Sequence, residues 1–266
     1  MIDGLFKYTF IQNAFIASVL VSIVCGIIGT IIVEKKLVMM SGGIAHTSFG
    51  GIGLGYFLDI EPIIGALIFS IGASLGIAHI NRSTKTNSDA LVGMFWAIGM
   101  AMGILFIGLT PGYPPDMTSY LFGDILTVSK LSIRIMIVVT IIITSVVVVF
   151  FNYWKAYLFD DEFSKVLGIR TIFLENLIFI LIALAIVMLI KVVGIILVIA
   201  LLTIPPAIAK FLTYNLKTIM IISIVFGMLF CILGLYVSYQ FDIPSGATII
   251  IIAGLTFFLF SSFRKL

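Results

Sequence analysis

The sequence predicts an all-α, polytopic integral membrane protein of eight to nine transmembrane helices, and three observations carry that prediction. Hydrophobic residues make up 62% of the chain and charged residues only 10%, against about 25% charged in a soluble globular domain. Mean hydropathy is +1.30. Apolar runs of about 20 residues, the length that crosses a hydrocarbon core of about 30 Å, follow one another along nearly all of the 266 residues. Residues 1–266 therefore read as a single transmembrane domain, with no room for a soluble one of useful size.

The elements are taken in chain order. MIDGLFKYTF leads into an apolar run with no small-residue cleavage site after it, so the first segment is expected to stay as a helix rather than leave as a signal peptide. Candidate spans are Phe10 to Val33, Leu37 to Leu58, Pro62 to Ile80 and Leu91 to Leu109. They continue with Leu131 to Tyr153, Phe173 to Ile190, Val192 to Ala209, Ile219 to Tyr239 and Ala247 to Phe263. The count of nine rests on the glycine-broken second span and on the tightly joined pair around Lys191 and Gly194. Pro205 and Pro206 are expected to break or kink the seventh span near its end, as a structural bend or an inner gate.

Two stretches do not span. Thr110 to Asp124, TPGYPPDMTSYLFGD, cannot continue a helix and should be a loop leading into a short or re-entrant piece. Trp154 to Arg170, WKAYLFDDEFSKVLGIR, is the one long insertion. In it Asp160 can cap a short helix, at about 159–169, whose Phe163, Val166 and Leu167 share a face. Such a helix either lies on lipid or docks on a protein. The acidic run Asp160-Asp161-Glu162 would be repelled by anionic headgroups, which favours a protein partner.

The net charge of +3 is scattered through short loops, which gives topology rather than a nucleic-acid surface. If the first span ends inside at Glu34-Lys35-Lys36, the inner loops hold most of the basic residues, from Lys35 and Arg82 to Arg264 and Lys265. The outer side keeps Lys7, Lys130, Arg134 and Lys191. The positive-inside rule then puts the N-terminus outside and the C-terminus in the cytoplasm. Asp59, Glu61, Asp116, Asp124 and Asp242 face outward. Cys25 and Cys231 lie in apolar runs without metal spacing and read as buried small hydrophobes.

The second span, MMSGGIAHTSFGGIGLGYF, holds His46 among Gly42, Gly43, Gly50, Gly51, Gly53 and Gly55. An ionisable group at membrane depth is costly, so His46 marks either a polar path or a histidine bridging two closely packed helices. His79, near Asn81 and Arg82, reads as an interfacial residue. No Walker A loop occurs, so ATP dependence must come from another subunit, and there is no His-Glu-x-x-His pair for an intramembrane zinc peptidase. The chain shows no nucleophile, base and orienting group together, and no bound cofactor is expected.

Six stretches carry a resemblance that covers most of the chain: SGGIAHTSFGGIGLGYF, SDALVGMFWAIGMAMGILF, SYLFGDILTVS, FDDEFSKVLGI, VGIILVIALLTIPPAIA and GLYVSYQFDIPSGATI. In that order the chain resembles the permease subunit of the metal-type ABC transporters, the ABC-3 family of zinc, manganese and iron importers in bacteria and archaea. The resemblance implies a type II ABC importer-like permease in the plasma (inner) membrane. It implies a second copy of the chain, a pair of ATP-binding cassette subunits below, and an extracellular or periplasmic metal-binding protein above. FDDEFSKVLGI, with Asp160, Glu162, Phe163 and Gly168, would be the helix that couples to the ATPase.

The resemblance also implies a divalent transition metal as cargo and His46 as a pathway residue, doubled across a dimer axis. Imidazole with carboxylate suits zinc, manganese or ferrous iron. The family usually has an aspartate four residues before this histidine; here that position is Gly42. Asp116, in the outer PPD turn, and Asp242, before Pro244, stand as candidates for an outer funnel or gate, or as a loop acid and a turn residue. Alternatives to metal import are a permease for a chelated metal or other small solute, and an ATP-independent channel or carrier.

Overall fold

The computed structural model describes residues 8–84, 88–112, 118–123 and 125–263. Among them the regular elements are helices: α1 (Thr9–Glu34), α2 (Val38–Phe57), α3 (Pro62–Thr84), α4 (Ser88–Leu109) and the short α5 (Thr118–Phe122). A 3-10 turn at Ile125–Thr127 precedes α6 (Lys130–Val149), α7 (Phe151–Phe159), α8 (Asp161–Val166), α9 (Thr171–Leu212), α10 (Leu216–Phe241) and α11 (Ser245–Phe263).

Seven of these are long and apolar enough to cross a membrane: α1, α3, α4, α6, α9, α10 and α11. The 20-residue α2 has the length, but its glycines, hydroxyls and His46 dilute its hydropathy. The 42 residues of α9 would measure about 63 Å as one straight helix, twice a hydrocarbon core. Its backbone breaks at Gly194, with φ 73° and ψ 163°, into pieces of about 20 residues that each suffice for one crossing. Counting α2 and both pieces of α9, the described helices offer nine segments for the nine spans read from the sequence.

The chain forms two compact units, each built from separated stretches. The first unit comprises Met1–Lys35, Thr118–Val149 and Met188–Leu266. Within it α1 and α10 pack antiparallel, with Gly26 against Ile224 and Ser22 against Gly227. Cys25 and Cys231 are free and buried, as expected of small hydrophobes. Hydroxyls at this depth return to their own helix: Ser18 donates to Ala14 O at 2.8 Å and Ser22 to Ser18 O at 2.7 Å. Lys210 Nζ and Glu34 Oε1, 3.1 Å apart, tie the ends of α9 and α1.

The expected short piece after the loop is present in this unit as α5 and the 3-10 turn; residues 113–117 and 124 lie outside the described residues. Ile125 is fully buried, and Asn13 Nδ2 donates to Val128 O at 3.0 Å, anchoring the turn to α1. Gly123, φ 63°, meets Gly194, and a Cβ on either would overlap the other's backbone.

The break expected at the prolines lies elsewhere. The backbone stays helical through Pro205 and Pro206, and the departure falls at Gly194 instead. Pro206 has no N–H for Leu202 O, yet that carbonyl is not left to open space. Gly29 of α1 presents its Cβ-less side to Leu202 O, with the Pro206 ring beside it. A backbone C–H contact of this kind gives the freed carbonyl a weak partner.

The second unit comprises Lys36–Met117 and Phe150–Val187. Here α2 lies between α3 and α4. It packs antiparallel to α3, with Gly51 on Gly65 and Gly55 on Pro62, and parallel to α4, with Gly43 on Val92, Gly50 on Gly99 and Gly53 on Gly103. Small residues bring these backbones together, the usual means of helix association in lipid.

The two largest boundary differences from expectation are at α3 and α6. α3 runs on to Thr84 rather than stopping at Ile80, because its last turn is held by Arg82, which pairs with Glu175 and bonds Asn176 Oδ1 at 3.1 Å. α6 ends at Val149 rather than Tyr153. Phe150 instead caps α7, where it joins an aromatic cluster with Tyr153, Trp154 and Phe173 at 6.1 to 6.4 Å.

Candidate functional site

His46 is positioned by α2 and its neighbour α4. Thr47 Oγ1 lies 2.7 Å from Gly43 O and 3.0 Å from Phe95 O, clasping the two helices next to the histidine. Gly99 lets the backbone of α4 lie directly on Thr47. Residue 96 consequently faces residue 46, and the rings of Trp96 and His46 stack at 3.9 Å with 9° between their planes. The imidazole is half-buried in a helix whose neighbouring positions are buried, and Trp96 is 37% exposed. His46 Nδ1 is shut in with no hydrogen-bond partner.

The site is poor in donors. Gly42, one turn before His46, is buried and contributes no side-chain ligand. Among the described residues no group of three His, Cys, Asp or Glu side chains is placed to hold a metal ion.

Asp242 is the left-handed C-cap of α10, φ 53° and ψ 46°, exposed, with its N–H donating to Ser238 O. Ser238 Oγ donates to Ile243 O and closes the same turn. That is the geometry of a turn residue, in the unit of α1 and α10, whereas His46 belongs to the unit of α2 to α4. Asp116 lies outside the described residues. His79 sits in the penultimate turn of α3, three residues before the Arg82–Glu175 pair.

The insertion builds a second candidate site. Asp160 caps α8, its Oδ1 accepting from Phe163 N at 3.0 Å. Asp161 and Glu162 occupy the first turn and Lys165 the last, the order that complements the helix dipole. Lys165 Nζ reaches Asp161 Oδ2 at 2.9 Å, and that hydrogen bond raises the lysine's pKa. Gly168, φ 76°, ends the helix: its N–H donates to Lys165 O and that of Ile169 to Ser164 O, both at 3.0 Å, a Schellman pair.

Orientation follows from burial. Ser164 is buried on one side, as are Trp154 and Tyr157 of α7, whose phenol is pushed up in pKa by burial and then by the Glu175 and Asp161 carboxylates. On the other side Phe163, Val166 and Leu167 are 55%, 83% and 57% exposed. An apolar face held outward by caps at both ends is suited to a protein groove. Asp160→Ala should cost about 1 kcal/mol of local helix stability, read as faster amide exchange confined to 161–167.

Sequence reasoning passed over Trp96 and Thr47 as members of the site, although both lie in stretches it singled out. The available signal was a polar-edged aromatic in α4, among glycines spaced to meet α2. It also passed over the meeting of Gly123 and Gly194, which no local pattern announces.

Fold and sites together define a polytopic, all-helical membrane protein with an exposed apolar face on α8. The ABC 3 transport family model matches residues 7–265, and the chain belongs to that family. It is 40% identical over 259 residues to the uncharacterized membrane protein slr2045 of Synechocystis sp., covering 97% of this chain and 92% of that one. It is 33% identical over 258 residues to the manganese transport system membrane protein MntC of Listeria monocytogenes, covering 97% and 92%. A solved structure of PsaBC from Streptococcus pneumoniae, in complex with Fab, superposes with a TM-score of 0.88 at 31% identity, covering 97% of this chain and 93% of that one.

Proposed function

We propose that this chain is the permease subunit of an ATP-driven importer of divalent transition metal ions, with manganese the first candidate and zinc and iron next. Two copies would face each other, so that paired His46 rings line one path, while separate ATPase subunits supply the energy. A metal-binding protein on the outer face would deliver the ion. Basic residues concentrated in the inner loops support an outside N-terminus and a cytoplasmic α8, which would act as the coupling helix through Phe163, Gly168, Asp160 and Glu162.

The observation that carries the reading is His46: a half-buried imidazole between buried neighbours in a glycine-packed helix of a family member whose relative MntC is named for manganese transport. Intramembrane ionisable groups at such positions mark ion paths. The ion must bind tightly enough to enter and weakly enough to leave, and a donor-poor site doubled across an axis meets that need.

Gly42 favours one second reading, in which the cargo is a chelated metal that needs fewer protein ligands. ATP hydrolysis by the assembled permease and ATPase in nanodiscs separates the two. Stimulation by Mn²⁺, Zn²⁺ or Fe²⁺ loaded on the binding protein is expected; stimulation by chelates alone would transfer the proposal to the second reading. Transport with no ATPase present would contradict both.

A further inference from the structure

We infer that Trp96 is the positioning residue of His46, performing by ring stacking the task that a hydrogen bond to the second ring nitrogen performs in most metal sites. The inference rests on the transport reading above. A histidine that ligates through one nitrogen almost always donates the N–H of the other to a carboxylate, carbonyl or water, and that bond fixes the ring. His46 lacks this bond, since Nδ1 is buried with no partner. Nor does the preceding turn help, because residue 42 is glycine.

What orients the ring is the Trp96 face, 3.9 Å away and within 9° of parallel. Trp96 is itself placed by a rigid seam. Phe95 O accepts from Thr47 Oγ1, and Gly99 seats α4 on the Thr47 backbone, so the two residues flanking the stack in space are fixed by backbone contacts. The indole covers one face of the imidazole and leaves the cargo an edge-on approach. As the imidazole gains positive character on meeting a cation, the indole π-face stabilises that charge. Trp96 thus sets both the geometry and the strength of a site that has few other donors.

Two histidines in the whole sequence make the test direct. Histidine-labelled permease, assembled with its ATPase in nanodiscs, is compared by NMR and by Mn²⁺ uptake as wild type, Trp96→Phe and Trp96→Leu, with His79→Ala for assignment. In wild type the His46 ring protons should lie upfield of those of His79 through the indole ring current. Trp96→Leu should lose that shift and raise KM for Mn²⁺ about 3- to 10-fold, and Trp96→Phe should restore most of both. Equal KM in wild type and Trp96→Leu, or Trp96→Phe as impaired as Trp96→Leu, would overturn the inference. A wild type that shows the ring-current shift yet moves no divalent ion overturns the transport reading and not the stack, so the NMR arm tells the two failures apart.

Discussion

Gly194→Ala is expected to leave little folded protein in the membrane. The residue sits at φ 73° and ψ 163°, a region closed to L-residues at a cost of about 1–3 kcal/mol, and this conformation is what divides the 42 residues of α9 into two crossings. The added Cβ also has no space, because the backbone of Phe122 and Gly123 already occupies it. Backbone cannot swing aside as a flexible side chain does. Together the strain and overlap place the change beyond about 4 kcal/mol, the range reserved for mutations that break a fold. Yield and thermal melting of the purified protein, read beside Gly254→Ala, check this. Gly254 has open space where a Cβ would go, so its variant should behave as wild type. A Gly194→Ala variant that melts normally would remove the break from the account.

Phe163→Asp should act in the opposite manner, abolishing coupling with the fold intact. Phe163 is more than half exposed on the outer face of α8, and the helix itself is held by Asp160 and Gly168 rather than by that ring. Aromatic anchors at the centre of an interface contribute about 2 kcal/mol or more, and an aspartate there adds an unpaired charge in a desolvated groove. Association with the ATPase should fall at least about 30-fold, the equivalent of 2 kcal/mol. Co-purification and cargo-stimulated ATP hydrolysis measure it. Lys165→Ala, which removes only a solvent-exposed ion pair, should change little. Unimpaired coupling in Phe163→Asp would show that the partner docks elsewhere.

What the sequence revealed followed the range of the forces involved. The spans were legible because the bilayer imposes their length, and α2 was recognisable despite its glycines because its flanks, Lys35-Lys36 and Asp59, bound it on both sides. Asp160 as a cap, and Phe163, Val166 and Leu167 as one face, were legible because capping and helical periodicity act within a few residues. The break expected at Pro206 was misplaced for the converse reason. Whether a proline breaks a helix depends on what takes the freed carbonyl, and here that is Gly29, far away in sequence.

The same limit applies at the candidate path. His46 stood out by its chemistry alone, but the ring that stacks on it lies 50 positions later, and only the packing of Gly43, Gly50 and Gly53 on α4 brings it there. For Asp242 the sequence left a turn and a path role open, and the left-handed cap geometry displays the turn.

The central claim is that this permease moves a divalent metal ion at the expense of ATP. Uptake of radioactive manganese into proteoliposomes holding the permease, its ATPase and the binding protein tests it most directly. Accumulation that requires ATP, and that falls at least about tenfold in His46→Leu, is the predicted result, a tenfold change corresponding to 1.4 kcal/mol. Manganese uptake that proceeds equally without ATP, or none at all for manganese, zinc and iron, would contradict it.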